Sequence, residues 1–120
     1  MNTPLVSIII PTYNRAHLIG ETLDSILAQT YTNWEMIIVD DCSSDNTEEI
    51  VKKIQQSDTR IHFFKLDQNS GSGVARNKGI EKASGDYMTF IDSDDIWFPK
   101  FIQNSIEAIQ TSKAPFVFSS

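Results

Sequence analysis

Tyr87-Met88-Thr89-Phe90-Ile91-Asp92-Ser93-Asp94-Asp95 is an apolar run that stops abruptly in three carboxylates within four positions. Tyr, Thr, Phe and Ile favour the pleated surface of a β-strand, and aspartate does not. The pattern predicts a strand over Tyr87 to Ile91 that stops at Asp92, with the carboxylates at the mouth of a sheet. Like charges that close repel one another and resist losing hydration. A hard divalent cation is the usual reason to gather them, and oxygen ligands suit Mg2+ or Mn2+ together with substrate phosphates. A solvated acidic turn has the same local sequence, so the rest of the chain must decide between the two readings.

Before this stretch, short apolar runs alternate with polar tips and helical patterns. Val6 to Ile10 reads as a buried strand ended by Pro11 and Asn14, because proline cannot donate to a ladder. Asn14 is a candidate N-cap for a helix over Ala16 to Gln29, whose apolar stripe is Leu18, Ile19, Leu23, Ile26 and Leu27. Trp34 to Val39 reads as a second strand, and it too ends in carboxylates, Asp40-Asp41. Ser44 with Thr47-Glu48 resembles a capping box opening a helix that runs to about Gln56 and buries Ile50, Val51 and Ile54. Ile61 to Leu66 is the third strand. A helix over Val74 to Ala83 sets the small residues Ala75, Gly79 and Ala83 on one face and closes at Ser84-Gly85-Asp86 with a C-terminal glycine.

Beyond the acidic stretch, Pro99 suits a first helical turn. Phe98, Phe101, Ile102, Ile106 and Ile109 then form an apolar helix face. Trp97 is read as a core or rim aromatic. Lys113-Ala114-Pro115 breaks the helix, and Phe116-Val117-Phe118 starts a fifth strand. The alternation β-α-β-α-β-α-β-α-β argues for a mainly parallel sheet with helices on both faces. Ligands of such sheets bind beyond the carboxyl ends of the strands. Pro11-Thr12-Tyr13-Asn14, Asp40-Asp41 and Asp92-Ser93-Asp94-Asp95 all converge there, which favours a metal or nucleotide site.

Bulk properties set limits. At 120 residues the chain makes one domain, and 40% hydrophobic with 22% charged residues describes a globular one. A net charge of -6 argues against nucleic acid and anionic lipid as partners, since both need a basic surface. No apolar run is long enough for a transmembrane helix, and the N-terminus lacks the basic region of a signal peptide. The lone Cys42 allows neither an intrachain disulfide nor a cysteine zinc cluster, and a reducing cytoplasm fits best.

Taken together the tips resemble family 2 glycosyltransferases of the GT-A fold. Val6 to Arg15 resembles that family's opening strand. Ile38 to Thr47 resembles its second motif, in which glycine is usual in place of Cys42. Gly73-Val74-Ala75-Arg76-Asn77-Lys78-Gly79 matches the third, and Asp92-Ser93-Asp94-Asp95 with Trp97 and Pro99 matches the DxD motif. The matches come in family order and cover nearly the whole chain.

The resemblance implies a GT-A, Rossmann-like α/β fold. It implies inverting transfer of a sugar from a nucleotide diphosphate donor, often UDP-linked, to a saccharide or lipid-linked acceptor hydroxyl in polysaccharide or cell-surface glycan synthesis. It places Pro11, Thr12 and Tyr13 around the nucleoside, Asp40 against the base with Asp41 in support, and Arg76 facing the nucleotide. Asp92 would reach the ribose or the metal, and Asp94 would ligate the Mn2+ or Mg2+ ion. Asp95 lies just beyond the motif.

Inverting transfer also needs a general base. In the resembled family it lies well after the DxD motif, and here no aspartate follows Asp95, while Glu107 falls within a predicted helix. The expectation is therefore that residues 1–120 are the nucleotide-sugar-binding portion of a longer enzyme, that the base lies beyond Ser120 with the acceptor half, and that this portion alone transfers no sugar. The whole protein is expected in the cytoplasm, including the inner face of the membrane. Two other readings compete. One is a non-catalytic metal and nucleotide module. The other is a receiver-like phospho-acceptor domain, which normally carries its acidic pair after the first strand.

Overall fold

The computed structural model describes residues 3–112 and 117–119. Nine elements alternate along it: β1 (Val6–Thr12), α1 (Ala16–Leu27), β2 (Trp34–Asp40), α2 (Thr47–Gln55), β3 (Ile61–Lys65), α3 (Ser72–Lys82), β4 (Tyr87–Phe90), α4 (Phe101–Ser112) and β5 (Val117–Ser119). The strands form one five-stranded sheet in the order β3-β2-β1-β4-β5, and every pairing is parallel. The chain winds outward from β1 to β3, then returns to the other side of β1 with β4. The order thus reverses between β1 and β4, where an open α/β sheet leaves a crevice for ligands.

Strand alternation sends side chains to opposite faces. On one face Val6, Ile8, Ile10, Met36 and Ile38 join Ile19, Leu23 and Ile26 of α1, Val51 of α2, and Ile102 and Ile106 of α4 in the main core. On the other, Ile37 and Val39 meet Ala75 of α3. That helix lies close to the sheet because it presents Gly79, where a Cβ atom would collide with the Ile9 side chain. The expected run of small residues on α3 therefore has the packing role assigned to it.

Several boundaries differ from the sequence reading, each for a physical reason. Pro11 lies inside β1, in register with Val39. Pairing with β4 ends at Ile9 opposite Phe90, and the Ile9 carbonyl accepts the Ile91 amide. Two residues on, Pro11 faces the same side past the last rung, so its missing N–H leaves no ladder bond unmade. Strand β4 itself stops at Phe90, before Ile91.

Neither of the first two helices is capped by its expected residue. Arg15, not Asn14, is the N-cap of α1, and it makes no side-chain cap. The capping box at Ser44 is absent: α2 starts at Thr47, whose amide is held by Asp45 Oδ1 at 3.0 Å. Gly85 supplies no left-handed C-cap, since α3 ends in extended backbone at Ala83. Its constraint is space: a Cβ there would stand 2.6 Å from Ser7 Oγ and 2.7 Å from the Leu5 carbonyl.

Pro99 precedes α4 rather than opening it, and Phe98 is 85% exposed instead of lying on the apolar helix face. The buried Gln29 amide organises this turn. Its Nε2 donates to the Phe98 carbonyl at 2.7 Å, and its Oε1 accepts the Ile102 amide at 3.0 Å. Trp97 is buried and stacks on Phe101 with ring centroids 4.6 Å apart, so it is a core aromatic. The predicted break at Lys113-Ala114-Pro115, and Phe116, lie outside the described residues.

Candidate nucleotide-sugar site

A crevice of about 270 Å³ opens at the β1/β4 switch point. Ligand pockets of small molecules run from about 300 to 1,000 Å³, so this one is at the small end of that range. The β1 tip contributes Pro11, Thr12 and Tyr13, and the loop that follows adds Arg15. The end of β2 contributes Asp41, and the first turns of α3 contribute Ser72, Ala75 and Arg76. Asp92, Ser93 and Asp94 close the wall beyond β4. Of the residues read from the sequence as nucleotide or metal contacts, Asp40 alone stands outside this lining.

The two neighbouring aspartates at the end of β2, Asp40 its last residue and Asp41 just beyond it, are divided by their environments. Asp40 is fully buried, and its carboxylate accepts the Ser43 hydroxyl at Oδ1 and the Ser43 amide at Oδ2, 3.0 Å away. Asp41 faces the crevice. Its two oxygens accept the Ser70 amide at 2.7 Å and the Gly71 amide at 2.9 Å, which ties the loop before α3 to the end of β2. Gly71 has φ 96, a conformation that glycine adopts without the penalty other residues meet. A carboxylate that accepts two amides still has lone pairs for a ligand. Cys42, next in the chain, is also left-handed at φ 63, which explains why glycine suits that position.

Thr12 is 3% exposed, lines the crevice, and its hydroxyl makes no hydrogen bond among the described residues. An orphaned buried hydroxyl is costly unless a ligand or water engages it. Tyr13 is 44% exposed, so its ring is a wall of the site and not part of the core. Arg76 reaches Asp92 across the crevice at 3.8 Å, with both side chains largely exposed. Such a pair is weak and easily exchanged for a ligand anion.

Asp92, Asp94 and Asp95 each offer an exposed carboxylate oxygen, and these oxygens lie within 4.8 Å of one another. A set of hard oxygen donors at that spacing fits Mg2+ or Mn2+, which complete their shells with water and phosphate oxygens. The geometry thus brings Asp95 into the cluster on an equal footing with the two motif aspartates.

Sequence reasoning missed Arg15, Ser72, Ala75 and Ser93 as lining residues. Arg15 and Ser93 carried a signal that could have been used, because Arg15 immediately follows, and Ser93 lies within, a strand tip already placed at the mouth of the sheet.

Comparison with known proteins follows the same outline. The family model described as "Glycosyl transferase family 2" matches residues 7–120. WfgD of Escherichia coli, a β-1,3-glucosyltransferase named for UDP-glucose and a GlcNAc-diphosphoundecaprenol acceptor, is 39% identical over 120 residues; the match covers all of this chain and 47% of WfgD. Among solved structures, S. aureus TarS in complex with UDP-GlcNAc superposes with TM-score 0.84 at 34% identity, over 88% of this chain and 31% of TarS. The mannosyltransferase PcManGT from Pyrobaculum calidifontis, in complex with GDP-Man and Mn2+, gives TM-score 0.85 at 28% identity, over 91% of this chain and 33% of its own. The chain spans about half the length of the curated relatives it matches.

Proposed function

The chain belongs to glycosyl transferase family 2, and on that premise we propose that it forms the donor-binding part of an enzyme that moves a sugar from a UDP-sugar to an acceptor hydroxyl with inversion. The observation that carries this reading is the crevice at the switch point, where residues from four separate sequence motifs line one wall-to-wall site. The fold and the family match do not favour a receiver-like domain, and the family's named members are transferases rather than passive binding modules.

In this reading Pro11, Thr12 and Tyr13 border the nucleoside, and the Thr12 hydroxyl finds its partner there. Asp41 takes the base-facing role that the family resemblance implies for Asp40, because Asp41 lines the crevice and Asp40 is sealed behind it. A carboxylate accepts the N3–H of uracil and repels the N3 lone pair of cytosine, so the contact discriminates as well as binds. Arg76 exchanges its long contact with Asp92 for the donor's diphosphate, with Arg15 on the opposite wall. Asp92, Asp94 and Asp95 would hold Mg2+ or Mn2+, which supplies Lewis-acid stabilisation to the negative charge left on the diphosphate.

Inversion requires the acceptor oxygen to attack the anomeric carbon from the face opposite the leaving diphosphate, while a base takes its proton. With Asp41 assigned to the nucleotide base and the acidic cluster to the metal, we assign the proton-accepting base, and the site for a saccharide or lipid-linked acceptor, to polypeptide beyond this chain. Residues 1–120 are then the nucleotide-sugar-binding portion of a larger GT-A domain that works on a cell-surface glycan at the cytoplasmic face of the membrane. No helix among the described residues is long and apolar enough to cross a membrane.

Calorimetric titration of UDP, GDP and ADP, each with and without Mn2+, tests the proposal. The expected result is metal-dependent binding that ranks UDP first and is lost in Asp94→Ala. Equal, metal-independent binding of all three nucleotides would overturn it.

A further inference from the structure

Asp40 lies outside the crevice, yet its carboxylate begins a chain of hydrogen bonds that ends at the crevice wall. Ser43 gives its hydroxyl proton to Asp40 Oδ1, which leaves the Ser43 oxygen as an acceptor. That oxygen accepts the Asn14 amide at 2.8 Å. Asn14 is held at φ 51, in the left-handed region that asparagine tolerates better than most residues. Its side-chain oxygen accepts the Ser44 amide at 2.8 Å and the Asp45 amide at 3.3 Å. The next two amides are held in the same way: Arg15 N–H donates to Thr47 Oγ1 at 3.2 Å, and Ala16 N–H to Asp45 Oδ2 at 3.2 Å.

Three consecutive amides at the start of α1 are thus satisfied by side chains of the β2–α2 loop and of Thr47, the first residue of α2. A helix start normally meets its unpaired N–H groups with its own N-cap or with water. Here the N-cap Arg15 makes no side-chain cap, and the cap comes from a different loop. The two residues that flank Asn14 are Tyr13 and Arg15, both walls of the crevice.

We infer that Asp40 is a positioning residue: through Ser43 it holds Asn14 left-handed, and so aims Tyr13 and Arg15 into the donor site without touching the nucleotide. The inference rests on the reading of the crevice as a donor site. The burial of Asp40 also explains why the link is stiff. Ser43 meets Oδ2 with its amide and Oδ1 with its hydroxyl, so its side chain cannot swing away without leaving a buried oxygen short of its hydrogen bond.

A base contact and a positioning contact differ in what they do to selectivity. Loss of a base contact changes the ratio of affinities for UDP and CDP, whose bases differ at N3. Loss of a positioning contact weakens both nucleotides by the same factor. The test titrates UDP and CDP with Mn2+ into the chain and into Ser43→Ala, Ser43→Thr, Asp40→Asn and Asp41→Asn, and follows amide hydrogen exchange without nucleotide. Ile106→Val, a core change in α4 distant from the loops, controls for general destabilisation.

Ser43→Ala should lose affinity about tenfold for both nucleotides, about 1.4 kcal/mol, with their ratio unchanged. Exchange at Asn14, Arg15 and Ala16 should accelerate while that of Ile8–Ile10 stays slow. Ser43→Thr, which keeps the hydroxyl, should restore affinity and protection, and Ile106→Val should change neither. Asp41→Asn alone should collapse the UDP to CDP ratio. Unchanged affinity in Ser43→Ala would overturn the inference, as would a collapsed ratio in Asp40→Asn, which would make Asp40 a base contact. If the unsubstituted chain binds neither nucleotide, the donor-site reading falls and the positioning role with it, whatever the exchange pattern.

Discussion

At the N-terminal end of the sheet, Glu35 and Asp86 have their carboxylates absorbed into the structure. Ser7 Oγ donates to Glu35 at 2.6 Å, the Ser84 amide at 2.7 Å and the Ser84 hydroxyl at 3.0 Å, while Asp86 accepts the Leu5 amide at 2.9 Å. At the opposite end, Asp92, Asp94 and Asp95 are exposed, and the partner they have among the described residues is the long Arg76 contact to Asp92. The same functional group is spent on the fold at one end and kept available at the other. A carboxylate with its acceptor sites filled by the backbone stabilises structure; one left with empty lone pairs beside two others is arranged for something that arrives later.

The contrast can be broken from either end. The largest expected effect is at Gly85, where an alanine Cβ would meet the Ser7 and Leu5 backbone. Gly85→Ala should destabilise the chain by about 3 kcal/mol, measured by urea denaturation, and a loss below about 1 kcal/mol would mean the close approach relaxes freely. Next is Asp94→Asn. It should lower Mn2+-dependent UDP affinity about thirtyfold, about 2 kcal/mol, yet move the melting temperature very little, because its carboxylate is exposed and makes no ion pair among the described residues. A folded-state cost as large as the binding cost would erase the difference between the two ends.

Glu35→Gln should do the reverse, costing about 1 kcal/mol of stability, discounted for partial solvent exposure, with UDP binding unchanged. Its pH signature is specific. Burial pushes the Glu35 carboxyl up, but hydrogen bonds from Ser7 and Ser84 outweigh it and hold the group below its ordinary value of 4.5. A depressed folded pKa contributes stability that is present above 4.5 and lost as pH falls through the lower folded value. The acid limb of the stability profile, from about 4.5 down to that lower value, should therefore be shallower in Glu35→Gln than in the parent chain. The smallest effect expected is a gain. Cys42→Gly removes a left-handed non-glycine residue at the site end and should add about 0.5 kcal/mol, seen as a small rise in denaturation midpoint with nucleotide affinity intact.

How much of this was legible in the sequence follows from which interactions are local. The strands, the helix periods and the alternating order come from neighbours along the chain, and the parallel sheet follows from them. The acidic tip at Asp92 and Asp94 was legible because a β-favouring run ends there against the grain of its own composition. The caps were not. Asn14 and Ser44 read as N-caps by type, but their hydrogen bonds are spent on each other's loops, which no window around either residue reveals. For the same reason Asp40 and Asp41 could not be ranked: the two adjoin at the end of β2, and the deciding partners are Ser43 for one and the distant Ser70-Gly71 amides for the other. Phe98 looked like helix core because its spacing fits, while Gln29, distant in sequence, fixes the turn that turns it outward.

The mutual capping of the β1–α1 and β2–α2 loops has a consequence for re-engineering. The two segments form one exchangeable cassette. A graft of residues 13–16 from another member of the family would remove the Asn14 side chain that accepts the Ser44 and Asp45 amides, and a graft of residues 43–47 would strand the backbone amides of Asn14, Arg15 and Ala16 already in place. Chimeras aimed at new nucleotide preferences should move both segments together, and libraries should randomise across the pair and not along either one.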